Sequence, residues 1–150
     1  MSGEPSGFRR LTVAHEAGQR YRVATRQHSF AVDQLPSDGG EDTAPMPTEL
    51  FIGSLASCVA IYAANYLARH GFSTDDVAVT ADYRMASAPY RVGEIVLRLE
   101  VPGLPADLQP TLLAAASRCA IHNTLLNPPS VRIELAAPAA AGAAARRTAP

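Results

Sequence analysis

Pro47-Thr48-Glu49-Leu50-Phe51-Ile52-Gly53-Ser54-Leu55-Ala56-Ser57-Cys58-Val59-Ala60-Ile61-Tyr62-Ala63-Ala64-Asn65-Tyr66-Leu67-Ala68-Arg69-His70-Gly71 is the stretch that decides the fold. Proline suits the first helical position, where no backbone donor is needed, and Glu49 suits the positive end of the dipole. Leu50, Leu55, Val59, Tyr62 and Tyr66 recur at helical spacing. Arg69-His70 followed by Gly71 is a stop signal, with cations at the negative end and then a residue free to turn left-handed. The predicted helix is roughly 24 residues and about 35 Å long. Leu50 to Ala68 carries no charge and is long enough to span a bilayer. Its small and polar residues (Gly53, Ser54, Ser57, Asn65 and six Ala or Cys positions) instead suit close packing inside protein. A helix apolar on all sides belongs at the centre of a fold or in a subunit interface.

Working outward, Phe8 to His15, Tyr21 to Thr25 and Ser29 to Val32 read as short strands, with Ala17-Gly18 marking a turn. Gln34 to Pro47 is a loop rich in breakers. Beyond the helix, Val77 to Met85 and Arg91 to Val101 read as an antiparallel pair joined at Ser87-Ala88-Pro89. A second helix is predicted over Ala106 to Ala120, and a last strand over Val131 to Leu135. The order is three strands, helix, two strands, helix, strand, an α+β arrangement. The chain is 150 residues long, and one domain is expected over 1–135. Ala136 to Pro150 is Ala/Pro-rich and reads as a disordered tail.

Net charge is −1 and Trp is absent, which argues against nucleic acid as a partner. The first residues lack the apolar core of a secretory signal, so a cytoplasmic setting is expected. In a reducing compartment two cysteines are either buried free thiols or redox-active ones. Cys58 lies mid-helix and Cys119 is expected at the end of the second helix. A free thiol titrates near 8.5, and a mid-helix position gains little from the dipole. An activating cation for Cys58 would have to come from elsewhere in the fold. Cys119-x-x-His122 with Cys58 offers only three metal ligands, too few for a structural zinc site, and no metal is expected. His28 and His122 otherwise read as polar positions. A Ser-His-Asp hydrolase is disfavoured because no G-x-S-x-G elbow is present.

The run Gly39-Gly40-Glu41-Asp42-Thr43-Ala44-Pro45-Met46-Pro47-Thr48-Glu49-Leu50, continuing through Ser54-Leu55-Ala56-Ser57-Cys58, resembles the OsmC/Ohr family, in its OsmC-like branch. So does Cys119 followed by His122-Asn123-Thr124-Leu125 and Pro128-Pro129. The resemblance covers about residues 8 to 135. It implies an antiparallel sheet packed with two main helices, in an intertwined homodimer with the long helix central. It implies a thiol peroxidase that reduces organic, lipid-derived hydroperoxides without metal or flavin. Cys58 matches the peroxidatic cysteine and Cys119 the resolving one. An external dithiol, of the lipoyl-protein or thioredoxin-like kind, would restore both. Glu49 matches a glutamate that orients an arginine over the reactive thiol. Glu49 and Cys58 are nine residues apart, hence on opposite sides of one helix, so Glu49 has to act through another element or a second chain. The loop Gln34 to Pro47 contains no arginine or lysine, which leaves Arg20, Arg22 and Arg26 as candidates. Arg20 is nearest the spacing of the hydroperoxide-resistance branch, and Arg26 lies in a Thr25-Arg26-Gln27-His28 motif of the OsmC-like branch. Ala120 stands where many relatives carry proline, which is expected to loosen the resolving loop. Leu55, Val59, Tyr62 and Ile121 are the expected apolar lining for substrate. The competing expectation is a non-catalytic dimer that binds a small apolar ligand or senses oxidation.

Overall fold

A computed structural model describes residues 7–136. β1 (Thr12–Ala17), β2 (Arg20–Thr25) and β3 (His28–Val32) form an antiparallel meander in the order β1-β2-β3. The first strand begins four residues later than the sequence predicts and runs two residues further. Val13 stands opposite Val23, and Val23 opposite Phe30, so an apolar row crosses one face. Val23 and Val32 are buried, while Val13, Tyr21 and Phe30 stay exposed. The register shifts between His15 and Ala17, a bulge centred on Glu16.

The breaker-rich loop is ordered around Asp33, whose side chain is buried. Its carboxylate accepts hydrogen bonds from the N–H groups of Gln34 (2.8 Å), Glu41 (3.3 Å) and Thr43 (3.0 Å) and from the Thr43 hydroxyl (2.7 Å). These bonds, led by those of Thr43, hold its pKa down at about 2. At Gly40 any Cβ would collide with the Gln34 carbonyl, so only glycine lets the loop fold back this closely.

α1 (Pro47–Arg69) follows, with Pro47 in its first turn and the Glu49 carboxylate accepting the Met46 N–H at 2.8 Å. At its far end Phe72 N–H bonds the Leu67 carbonyl at 3.0 Å and Gly71 adopts φ 76°, a left-handed stop with Phe72 folded against the core. Ile52, Leu55, Val59, Ala63 and Leu67 form the buried stripe. By length and composition α1 could cross a membrane, but here this stripe packs into the protein core. Burial on every side is not what one chain achieves: Phe51, Ile61 and Tyr62 remain exposed.

β4 (Ala78–Ser87) and β5 (Tyr90–Glu100) make a long hairpin. Val79, Ile95, Leu97 and Leu99 from one of its faces pack on the core of α1. After a 3₁₀ turn at Ala106–Leu108 come α2 (Gln109–Ala116) and α3 (Ala120–Leu126). The single helix expected over Ala106 to Ala120 is therefore broken. Ser117 Oγ bonds the Leu113 carbonyl at 2.8 Å, and Arg118 and Cys119 donate to carbonyls three residues back. Cys119 then turns extended (φ −63°, ψ 146°) and caps α3. Cys119 thus opens a helix and does not close one.

The strand expected over Val131 to Leu135 is also corrected. Residues 127–136 have no regular structure, and Val131, Ile133 and Leu135 are exposed at 77%, 97% and 102%. Their alternation suits a strand, but among the described residues no neighbouring strand completes its ladder. The predicted tail, apart from Ala136, lies outside the described residues. No strand of the β1–β3 meander packs against α1, α2, α3 or the β4–β5 hairpin by more than a passing contact.

Two outcomes follow from this packing. Leu67 is fully buried, so Leu67→Ala should cost about 2–5 kcal/mol in urea unfolding at fixed protein concentration. Asp33 stabilises the fold fully above its ordinary pKa near 3.8 and loses that contribution as pH falls through about 2. An acid titration of unfolding should show this step in the wild type and not in Asp33→Asn.

Candidate active site

The break after α2 is what forms the site. It turns Cys119 inward, where its side chain is 0% exposed, in the same core cluster as Leu55, Val59, Leu112 and Ala116. Cys58, half-buried at the edge of the α1 stripe, packs against that cluster. Both thiols are free, and they are neighbours. Burial pushes the Cys119 thiol up; the His122 N–H, 3.2 Å from Sγ, opposes this. The Cys58 thiol, through a hydrogen bond and its charge, raises it further, and the Ile121 N–H opposes. A buried thiol beside a half-open one can form a bridge without first reaching solvent.

His122 is fixed next to this pair. Its Nδ1 lies 2.8 Å from the Ser117 carbonyl oxygen. His122 lines two grooves with mostly apolar walls. The larger, about 350 Å³, runs past Phe51, Leu55, Ile95, Leu97, Leu125 and Leu126. The smaller, about 140 Å³, lies between Val59, Leu97, Leu113, Ala116 and Ser117. Of the residues expected to line a substrate site, Leu55 and Val59 face these grooves. Tyr62 is on the exposed side of α1, and Ile121 packs against the core; neither lines either groove. Among the described residues no three His, Cys, Asp or Glu side chains converge as a metal site.

Among the described residues Glu94 is the one charged residue lining the larger groove; Glu49 and the three candidate arginines lie elsewhere. Glu49 is exposed and turned back on the start of its own helix. Arg20 and Arg22 both pair with Glu16 across the β1–β2 bulge, Arg20 through Nε at 3.1 Å. The Arg22 hydrogen bond, with help from Arg20, holds the Glu16 carboxyl below its ordinary value. Arg26 is exposed in the β2–β3 turn with a left-handed φ of 52°. All three arginines belong to the meander, so one chain brings together the two cysteines and His122 but neither Glu49 nor an arginine from this set. Sequence reasoning passed over Glu16 and Asp33. For the first the only signal was an acid on the strand next to Arg20 and Arg22, with Ala14 rather than Glu16 in register with Arg22; the second showed no signal beyond an Asp before a breaker-rich loop.

The match to the family model of OsmC-like proteins spans residues 39–134, well over half the chain, and the chain belongs to that family. Three solved structures share the fold. A protein assigned to osmotic stress and detoxification response in Psychrobacter arcticus is 20% identical, with a TM-score of 0.73 over 79% of this chain and 89% of that one. An organic hydroperoxide resistance protein from Legionella pneumophila is also 20% identical, with a TM-score of 0.63 over 81% of this chain and 91% of that one. An OsmC-like protein from Mycoplasma pneumoniae is 15% identical, with a TM-score of 0.68 over 83% and 91%. No curated protein matches the sequence significantly.

The unequal burial of the thiols has a direct readout. Under native conditions iodoacetamide should alkylate Cys58 about tenfold or more faster than Cys119, which has to wait for local opening. Peptide mapping against time checks this, and the difference should vanish in denaturant.

Proposed function

We propose that the protein is a cytoplasmic, thiol-dependent peroxidase that reduces organic, lipid-derived hydroperoxides to alcohols. The observation that carries this reading is the pairing of a half-open Cys58 with a wholly buried Cys119. The Cys58 thiolate attacks the outer oxygen of the O–O bond. That bond breaks, the alcohol leaves with a proton, and Cys58 becomes sulfenic acid. Cys119 attacks the sulfenic sulfur, an S–S bond forms and water departs. A dithiol, of the lipoyl-protein or thioredoxin-like kind, then reduces the bridge by exchange and is itself oxidised. Neither metal nor flavin takes part.

The working unit in this reading is an intertwined homodimer with α1 at its centre. Three apolar surfaces support it: Val13, Tyr21 and Phe30 on the open meander, Phe51, Ile61 and Tyr62 on α1, and the unpaired Val131–Leu135 segment. Exposed apolar area of this extent marks an interface. The meander of one protomer then supplies the arginine beside Cys58 of its partner, oriented by Glu49. Arg20, already ordered by Glu16, is the first choice and Arg26 the second.

The second reading, a non-catalytic dimer that binds a small apolar ligand or senses oxidation, is favoured by one observation. The larger groove, at about 350 Å³, has the size and apolar lining of a ligand site.

With a dithiol present, the wild type should consume cumene hydroperoxide catalytically, and Cys58→Ser should abolish turnover. An inactive wild type with both thiols accessible would favour the second reading. Co-expression tests the arginine. A Cys58→Ser chain paired with an Arg20→Ala chain should regain one working site per heterodimer, about half of wild-type activity in heterodimer purified by two different tags, when the arginine acts across the interface. Recovery only with Arg26→Ala would assign that residue, and no recovery with either would contradict contribution in trans.

A further inference from the structure

We propose that His122 and Asn123 are positioning residues, a clamp that holds the turn carrying Cys119 so that its sulfur meets Cys58 before any reaction begins. This rests on the reading of Cys119 as the resolving thiol. Ser117 and Arg118 follow the last residue of α2, so no later turn of that helix takes up their carbonyl oxygens. Side chains from α3 reach back and do so. The Nδ1 of His122 lies 2.8 Å from the Ser117 oxygen, and the Asn123 amide nitrogen donates to the Arg118 oxygen at 3.2 Å. A carbonyl oxygen can only accept, so both contacts run from side chain to backbone. The main chain of the same two residues holds Cys119 itself. The His122 N–H sits on Sγ at 3.2 Å, and the Asn123 N–H bonds the Cys119 carbonyl at 3.0 Å. Hydrogen bonds from two neighbouring residues thus fix Ser117, Arg118 and Cys119 in succession.

Resolution is an encounter between two sulfurs, and its rate depends on the effective concentration of one at the other. Residues 117–119 are neither helix nor strand. No ladder holds their shape, and ordering a free backbone as the sulfurs meet costs entropy. The clamp removes that cost in advance. Cys119 is wholly buried in the cluster against which Cys58 packs, and the two thiols are neighbours. A turn fixed in this place keeps the Cys119 sulfur where it can reach its partner. Neither clamping side chain belongs to the buried core: Asn123 is exposed and His122 half-buried. Their hydrogen bonds can therefore be removed without opening a cavity in the core.

Ellman's reagent reads this encounter apart from peroxide chemistry. Its first thiolate leaves when Cys58 forms the mixed disulfide. Its second leaves when Cys119 attacks the Cys58 sulfur, the bridge forms and the Cys119 proton passes to solvent; Cys119→Ser should lose this release. Asn123→Ala and His122→Phe each remove one side-chain donor. Each should leave the first phase unchanged and slow the second about three- to tenfold. Each should also shift the equilibrium of the bridge with glutathione toward the dithiol by a similar factor. His122→Asn places an amide N–H where Nδ1 stood and should restore both readings. Asp33→Asn, which weakens the fold away from the turn, should alter neither. Wild-type second phases and glutathione equilibria in both Asn123→Ala and His122→Phe would overturn the proposal. So would an equal loss in Asp33→Asn, or a wild type with no second release. A clamp-dependent second phase in a protein whose Cys58 does not react with hydroperoxides would support the proposal while contradicting the peroxidase reading.

Discussion

The packing of one stripe of α1 against α2 is the contact on which the site depends. Leu55, Val59, Ala63 and Leu67 meet Leu112 and Ala116, and the small residues at Ala63 and Ala116 let the two helices approach closely. Because α2 ends at Ala116, Cys119 falls into the core at the edge where Cys58 emerges. Were α2 to continue in regular helix through Cys119, neither the cap on Sγ nor the Ser117 grip on His122 would exist. The site is thus a product of a helix break held by side-chain and backbone hydrogen bonds, and the core stripe anchors both sides of it.

The fold divides labour between its two parts. The helices and the β4–β5 hairpin hold the two cysteines, while the meander holds Arg20, Arg22 and Arg26 and packs on neither by more than a passing contact. A three-stranded sheet with an open apolar face is poorly placed to remain solvated. The same is true of the exposed side of α1. These surfaces belong to one problem, which the proposed dimer would solve by covering both with a second copy of the chain. The strongly held Asp33 loop lies between the two parts. It fixes the path from β3 into α1 with a single buried carboxylate, so the meander leaves the core in a defined direction.

Much of this was legible in the sequence, for identifiable reasons. The bounds of α1 could be read because Pro47, Glu49 and Gly71 carry local signals that do not depend on tertiary contacts. The β4–β5 hairpin could be read from alternation about a proline turn. The break at Ser117 to Cys119 could not, because Leu108, Leu112, Leu113 and Ala116 carry helical spacing up to it and no Gly or Pro follows; the break depends on Ser117 and His122 bonding the backbone. The last strand was legible as a pattern, but a ladder needs a partner and the described residues offer none. Both cysteines were legible as candidates, and their adjacency came only with the fold. The role of Glu49 at its own helix start was half-read, since the dipole argument applied to its position and not to its contact with Met46.

The central claim is that Cys58 receives the oxygen and Cys119 resolves it. Mass spectrometry after one equivalent of cumene hydroperoxide, in the absence of reductant, addresses it most directly. The wild type should yield a Cys58–Cys119 disulfide within one chain, and Cys119→Ser should yield a dimedone-trappable sulfenic acid on Cys58. A protein in which both cysteines stay reduced, or in which Cys119 is oxidised first, would contradict it.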